Sequence, residues 1–347
     1  MKIYFASNQA TMLMRGGPTF KIICLRNALQ KIGANVEFLN YWDTQLKFSE
    51  NEFVHIFTAN SGTYHLAESL KLYGTKYIVN SIFFSKHSPL KIKAYLFGQK
   101  LINNLLNGTM SEISMAREVC KNAELVLPNT DEENNIIKNG FGIPSQKLIT
   151  IHNGVEKRFI NSNPDYFEQK YNVKDFILHV GHIGADRKNT YNLLKALELL
   201  KHPAVIIGNI LNNLEGKRCM AIIQNNPQIL HLDWINHKDP ILESAYAACN
   251  TFVLPSLYET PGRAALEAAL AGAKIVITPH GGTKEYFNNL AEYCNPYSIK
   301  SISTTISNSL NSVKSDKLSD HISKNYLWDK IAEKTKIIYE KVMNTSM

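Results

Sequence analysis

Two glutamates eight residues apart, Glu259 and Glu267, form the most chemically suggestive pair in the chain. They lie in residues 253–268, where an apolar run ending at Val253-Leu254 gives way to Pro255-Ser256 and then Glu259. Pro261-Gly262 opens a helix-like stretch whose second turn carries Glu267. A carboxylate accepts two hydrogen bonds at once, so each acid can hold a vicinal diol, the feature a ribose and a hexose share. Proline near the first helical position fits a helix start, and the free amides and dipole there favour an anionic or hydroxyl-rich ligand. The spacing alone is weak: twenty Glu in 347 residues give about 1.2 such pairs by chance, and the chain has two, Glu124/Glu132 and Glu259/Glu267. Only the second lies between a strand-like and a helix-like segment. Glu267 is flanked by Ala264-Ala265-Leu266 and Ala268-Ala269-Leu270, and an acid on so apolar a face needs a partner, because unpaired burial is costly.

A second strand-to-helix junction runs from Phe176 to Asn189. It ends an apolar strand at Gly181 and places Arg187 and Lys188 just before the next helix, with Asn189 or Thr190 as its cap. A fork-like guanidinium, a point charge and free amides suit a diphosphate. A solvated basic loop is the plain alternative. The glycines do not spell the dinucleotide fingerprint, which argues against a dehydrogenase. No Asp-x-Asp occurs, and the nearest approach, Asp131-Glu132-Glu133, sits in a helix first turn where acids are expected anyway. With no clustered metal ligands, Arg187, Lys188 and helix dipoles are left to neutralise a leaving group's charge.

These junctions need a scaffold, and the hydrophobic pattern supplies one. Strands are expected at 2–6, 35–39, 53–57, 76–79, 125–127 and 148–151. Helices are expected after Gly16-Gly17-Pro18, at 66–73, over 90–120 with a break near Asn107-Gly108, and after Thr130 in a capping box with Glu133. Residues 161–172 turn polar and read as a hinge. Beyond them strands at 176–180, 204–207, 229–232, 251–254 and 274–277 alternate with helices at 191–200, 242–248 and 264–270, and 327–342 reads as a last helix. Apolar strands alternating with helices imply parallel sheets covered on both faces. The expected fold class is α/β, with two doubly wound Rossmann-like domains facing a cleft and ligands at the C-terminal strand ends. The domains are expected at 1–165 and 173–326, with a C-terminal helix at 327–347 packing back on the first.

Composition excludes several classes. At 44% hydrophobic and 20% charged residues the chain is an ordinary globular one, and no stretch is apolar for the roughly 18 residues of a membrane span. The first residues read as a strand, not a secretory signal. Five scattered cysteines without C-x-x-C disfavour a disulfide frame or zinc site and point to a reducing compartment. The net charge of +8 favours anionic partners but is diffuse; no basic arm or nucleic-acid motif appears.

Taken in order, Gly16-Gly17, His152-Asn153-Gly154-Val155, Gly181 with Arg187-Lys188, Pro255-Ser256 leading to Glu259-x7-Glu267, Gly272, and Gly281-Gly282 with Glu285 resemble the retaining glycosyltransferases of the GT-B fold, family four, the group 1 transferases. The likeness covers most of residues 124 to 300. It implies that Arg187, Lys188 and Glu259 carry the catalytic chemistry, the two cations on the donor diphosphate and Glu259 on the donor sugar. It implies that Glu267 holds the ribose, that Trp234 and Ile235 lie near the base, and that Gly181, Thr260, Pro261, Gly262 and Arg263 line the donor. Gly16 and Gly17 would let backbone approach the phosphates. The leaving phosphate helps deprotonate the acceptor, so no protein nucleophile is demanded.

The chain departs from the family pattern in two places. Thr260-Pro261 replaces the common Gly-Phe, which puts the donor sugar's identity in question. A His common after the fourth strand is replaced by Asn80-Ser81-Ile82; Asn80, Ser81 and His87 are the candidate acceptor contacts. His55, in an apolar strand, reads as a core histidine. Lysines at 86, 91, 93 and 100 among apolar residues mark 86–102 as a candidate peripheral membrane contact, against the plainer reading of a core-packed helix with solvated lysines. The expected activity is metal-independent, retaining transfer of a sugar from a UDP- or GDP-linked donor, without cofactor, to a saccharide or lipid-linked acceptor in surface polysaccharide or glycoconjugate synthesis. The expected location is cytoplasmic or at the inner membrane face, with no nucleic-acid partner. A nucleotide-sugar epimerase and a catalytically silent sugar-nucleotide binding module are the alternatives.

Overall fold

The computed structural model describes residues 1–13, 16–105 and 110–344. The chain forms two compact units, Met1–Gly154 with Trp328–Met347, and Val155–Leu327. The first boundary thus falls at 154/155 rather than at 165. The polar stretch expected to be a hinge lies inside the second unit, because one aromatic residue in it, Phe167, is buried in that unit's core.

The first unit contains β1 (Lys2–Ala6), α1 (Gly17–Lys31), β2 (Asn35–Phe38), β3 (Glu52–Phe57), α2 (Ser61–Leu72), β4 (Tyr77–Asn80), α3 (Pro89–Leu105), α4 (Glu112–Asn122) and α5 (Asp131–Ile136). Its sheet runs β2-β1-β3-β4, all parallel. Successive strand residues point to opposite faces, and both faces are apolar. Ile3, Phe5, Phe53 and Phe57 join one core with Ile22, Leu25 and Leu29 of α1. Tyr4, Val54, Ile56 and Val79 join another with Ala67 and Leu70 of α2 and Val119 of α4. The expected strands at 125–127 and 148–151 are reduced to single bridges, Val79 to Val126 and Val126 to Leu148. The expected helix over 90–120 is two helices, α3 and α4; the break placed near Asn107-Gly108 lies outside the described residues.

The second unit contains α6 (Asp165–Tyr171), β5 (Ile177–Val180), α7 (Thr190–Leu200), β6 (Ala204–Ile207), α8 (Leu214–Gln224), β7 (Ile229–Leu232), α9 (Pro240–Ala248), β8 (Thr251–Leu254), α10 (Arg263–Leu270), β9 (Lys274–Ile277), α11 (Thr283–Phe287), β10 (Glu292–Tyr293), α12 (Ile299–Asn311) and α13 (Lys317–Tyr326). The parallel sheet runs β10-β9-β8-β5-β6-β7. Leu178, Val205, Phe252 and Ile275 face one core and Ile177, Ile206, Val253 and Val276 the other, the doubly covered pattern of a Rossmann-like sheet. The last helix, α14 (Trp328–Asn344), returns to the first unit, where Trp328, Ile331 and Tyr339 join the α1-side core. Gly154 faces it closely: a Cβ there would lie 2.5 Å from Trp328 Cδ2.

Candidate active site

The loops after β5 and β8 meet at Glu259. Lys188 Nζ donates to Glu259 Oε1 at 2.6 Å, Ser256 Oγ donates to the same oxygen at 2.7 Å, and Arg187 Nη1 lies 3.2 Å from it. No bond among the described residues falls on Oε2. Arg187 ties the two loops together through its backbone and its side chain: Leu257 N donates to Arg187 O at 2.8 Å, and Arg187 Nη1 donates to Tyr258 O at 2.8 Å. Glu259 N donates to His280 O, and the loop runs so close to Gly281 that a Cβ there would lie 2.2 Å from Glu259 O. Gly281 has φ +86°, a conformation open to glycine without strain. Glu259 is buried. Burial pushes its carboxyl up, but the Lys188 ammonium, the Arg187 guanidinium and the bonds from Lys188 and Ser256 outweigh that and hold it below the usual carboxylate range.

The β5 side is built differently from expectation. Arg187 and Lys188 sit on a short 3-10 turn, Asp186–Lys188, and Asn189 occupies the cap position of α7. Its side chain does not cap the helix. It donates to Pro255 O at 2.9 Å and Pro296 O at 2.7 Å, because its left-handed backbone turns the amide toward the β8 loop. Pro261 likewise does not open α10. It precedes Gly262, the cap residue, and joins Thr260 through a cis peptide. Thr260 Oγ1 donates to Tyr258 Oη at 2.8 Å.

Glu267 occupies a second cluster one helical turn deeper. It is 2% exposed. His237 Nε2 lies 2.7 Å and Arg263 Nε 3.1 Å from Oε1, while Tyr246 Oη donates to Oε2 at 3.0 Å. Burial raises its carboxyl, but the Arg263 charge, the bond and charge of His237 and the Tyr246 hydroxyl together leave it below the usual value. The apolar flanks correctly imply a paired acid. The partners come from α9, the β7–α9 loop and the first turn of α10 itself, so sequence distance hid two of the three. His237 also lies 3.5 Å from Glu156 Oε2, and the Arg158 guanidinium donates to His237 O and to Glu243. None of this carboxylate–imidazole–guanidinium chain was marked by a motif.

Around these clusters Trp234 is half exposed and its ring stacks on His182, centroids 5.9 Å apart and planes 11° apart. Ile235 packs against the unit's core. Gly181 covers His179, whose Nε2 would lie 3.4 Å from a Cβ at that position. His179 is fully buried; its Nδ1 bonds Val253 O at 2.9 Å and its Nε2 has no hydrogen-bond partner among the described residues. Desolvation pushes its pKa down to about 4, with Lys188 adding to the drop.

In the first unit Gly16 is the cap residue of α1 and Gly17 opens it, with open space around the position of a Gly17 Cβ. Asn80 and Ser81, expected to contact an acceptor, are fully buried. Asn80 donates to Leu127 O and Ser81 to Glu133, because β4 ends under α5 rather than at the surface. His87 is exposed. Thr130 Oγ1 accepts from Glu133 N at 3.0 Å, half of the expected capping box, while the Glu133 carboxylate serves Phe83 N, Asn129 N and Ser81. Beside it Lys21 is buried and bonds Asn129 Oδ1. Desolvation pushes the Lys21 ammonium down to about 7, against the pull of Glu133. His55 is a core histidine, as expected; its Nδ1 lies 2.7 Å from Tyr339 Oη.

Residues 165–326 match the family described as glycosyl transferases group 1. The chain is 26% identical over 207 residues to an O-antigen chain mannosyltransferase B of Escherichia coli, covering 56% of this chain and 53% of that protein. It is 27% identical over 229 residues to an uncharacterized glycosyltransferase of Methanocaldococcus jannaschii, covering 58% of this chain and 56% of that one. The chain thus spans about half the length of the curated relatives it matches. Among solved structures it is similar to a sucrose-phosphate synthase from Thermosynechococcus elongatus, with TM-score 0.78, 14% identity and coverage of 99% of this chain and 100% of that one. It is also similar to Anabaena HepE in complex with UDP, with TM-score 0.72, 15% identity and coverage of 98% and 100%. The fold is that of the GT-B glycosyltransferases.

Proposed function

We propose, on the premise that residues 165–326 are a glycosyl transferases group 1 domain, that the protein transfers a sugar from a nucleoside-diphosphate donor to a saccharide or glycolipid acceptor with retention of anomeric configuration. The observation that carries this reading is the convergence of Lys188, Arg187 and Ser256 on Glu259 Oε1 at the C-terminal ends of β5 and β8. An anion placed there meets two cations whose charges are held near a buried carboxylate, and electrostatic stabilisation of a leaving group is among the largest contributions an enzyme can make. Arg187 is half exposed and is the cation able to leave Glu259 for a diphosphate. Glu259 Oε2 then serves the donor sugar.

Glu267 shares its oxygens with His237, Arg263 and Tyr246, so we assign the ribose to the Glu267–Arg263 pair, Arg263 being one-third exposed. Trp234 and His182 offer an aromatic platform to the base. Retention follows from same-face reaction in which the leaving phosphate takes the acceptor proton. Metal independence is proposed because Arg187 and Lys188 can take the charge that other enzymes give to a metal held by Asp-x-Asp. A UDP or GDP donor is proposed, HepE being solved with UDP. A role in surface polysaccharide synthesis is proposed by analogy with the O-antigen relative.

The test is a panel of UDP-, GDP- and dTDP-sugars. A donor raises the melting midpoint in proportion to occupancy, and the same donor is hydrolysed or transferred with retained anomeric configuration in the presence of a chelator. Stabilisation without turnover on any acceptor would leave a silent binding module. Turnover abolished by the chelator would sink the metal-independent reading.

A further inference from the structure

We propose that the outward face of α3 is a docking surface for an anionic lipid bilayer. The helix packs inward through Ile92, which is buried, Leu96, which lies on the α2-side core, and Gln99, which accepts from Ser114 Oγ at 2.6 Å. Residues 90, 94, 97 and 101 recur at helical spacing on the opposite side. They are Leu90, Ala94, Phe97 and Leu101, and the three large ones are 76%, 66% and 52% exposed. Tyr95 and Ile102 are exposed on one flank and Phe84 just before the helix. A core-packed helix shows the reverse, with its apolar stripe inward and polar residues outward.

The charge on this face has one sign. Lys93 and Lys100 lie along one side of the stripe and Lys91 along the other, all exposed, with Lys86 exposed just before the helix. No acidic residue occurs between Glu68 and Glu112, while six lysines do. An apolar stripe flanked by lysines is the pattern of a helix lying in a lipid interface, where apolar side chains enter the acyl boundary and ammonium groups meet phosphate headgroups. A second copy of this chain fits the face less well, since a symmetric contact would set the lysines against one another. The inference stands apart from the sugar-transfer reading.

The test is co-sedimentation of the full chain with vesicles of phosphatidylcholine with and without phosphatidylglycerol. The protein is expected to bind the anionic vesicles, to ignore the neutral ones, and to be released by salt. Each lysine near an anionic surface multiplies partitioning about fivefold, so K91E/K93E/K100E lowers it by at least ~100-fold. F97S/L101S lowers it by at least ~10-fold, through lost apolar insertion. Both variants keep the parent's melting midpoint, their changes being on the surface. Equal binding to neutral vesicles, or unchanged binding by either variant, overturns the proposal. So does absence of vesicle binding together with a dimer that F97S/L101S dissolves. Failure of the nucleotide panel would refute the transfer reading and leave this result untouched.

Discussion

Replacing Lys188 with methionine separates a catalytic cation from a structural one. Its side chain is 18% exposed, and its ammonium lies 2.6 Å from an oxygen of Glu259, whose side chain is 6% exposed. Removing one partner of a buried ion pair costs about 3–5 kcal/mol when nothing replaces it. Glu259 keeps Ser256 at 2.7 Å and Arg187 at 3.2 Å, so the loss falls to ~1–2 kcal/mol, near the scale of one charged hydrogen bond. At roughly 2–4 °C per kcal/mol for a domain of this size, the melting midpoint drops by about 4 °C. The effect on rate is larger. A positioned group that stabilises developing charge is worth about 10²–10³ in kcat, and the loss appears in kcat for saturating donor. Initial rates of nucleoside-diphosphate release, with melting curves on the same preparations, measure both. A variant that melts 4 °C lower yet turns over within threefold of the parent would show that Lys188 only supports Glu259, and the leaving-group argument would fail.

Glu267→Gln leaves the Arg263 and His237 cluster without its anion, so nucleotide binding is expected to weaken at least tenfold in titration calorimetry while the chain still folds; equal affinity would remove the ribose assignment. Trp234→Ala, on a half-exposed ring, should weaken nucleotide binding by roughly the ~1–3 kcal/mol of base stacking with no change in melting, and an unchanged affinity would place the base elsewhere. His179 titrates near 6.5 unfolded and about 4 folded, so in that window the unfolded state binds more protons and stability rises with pH. Chemical denaturation of His179→Gln should show a shallower slope between pH 4 and 6.5, and an unchanged slope would assign it to other groups. Lys21 acts with the same sign at higher pH: its ordinary value of 10.5 falls to about 7, so the parent gains stability between those values and Lys21→Met should gain less.

What could be read in advance follows the physics of each signal. The alternation of apolar strands with helices made two parallel, doubly covered sheets legible, since Leu178 and Ile177 or Phe5 and Tyr4 are apolar on both faces. The junctions at Arg187-Lys188 and Glu259 were legible because loop chemistry sits at strand ends, and the structure joins them. α12 and α13 were hard to read although each keeps an apolar stripe, Ile299, Ile302, Ile306 and Leu310 in α12 and Leu318, Ile322 and Tyr326 in α13, because about one apolar residue per turn stands out weakly among serines and lysines; in α8 Lys217-Arg218 interrupts the apolar run. The boundary at Gly154 was misplaced because one buried Phe167 outweighs a polar neighbourhood. The partners of Glu267 were invisible because His237 and Tyr246 are brought to it only by tertiary packing.

The central claim, that Arg187 and Lys188 hold a pyrophosphate, is tested most directly by titrating the parent and Lys188→Met with a nucleoside, its monophosphate and its diphosphate in one buffer. The parent is expected to bind the diphosphate at least tenfold tighter than the monophosphate, and the variant to lose most of that gap while keeping its affinity for the nucleoside. A variant that preserves the gap would place the second phosphate away from this pair and contradict the account.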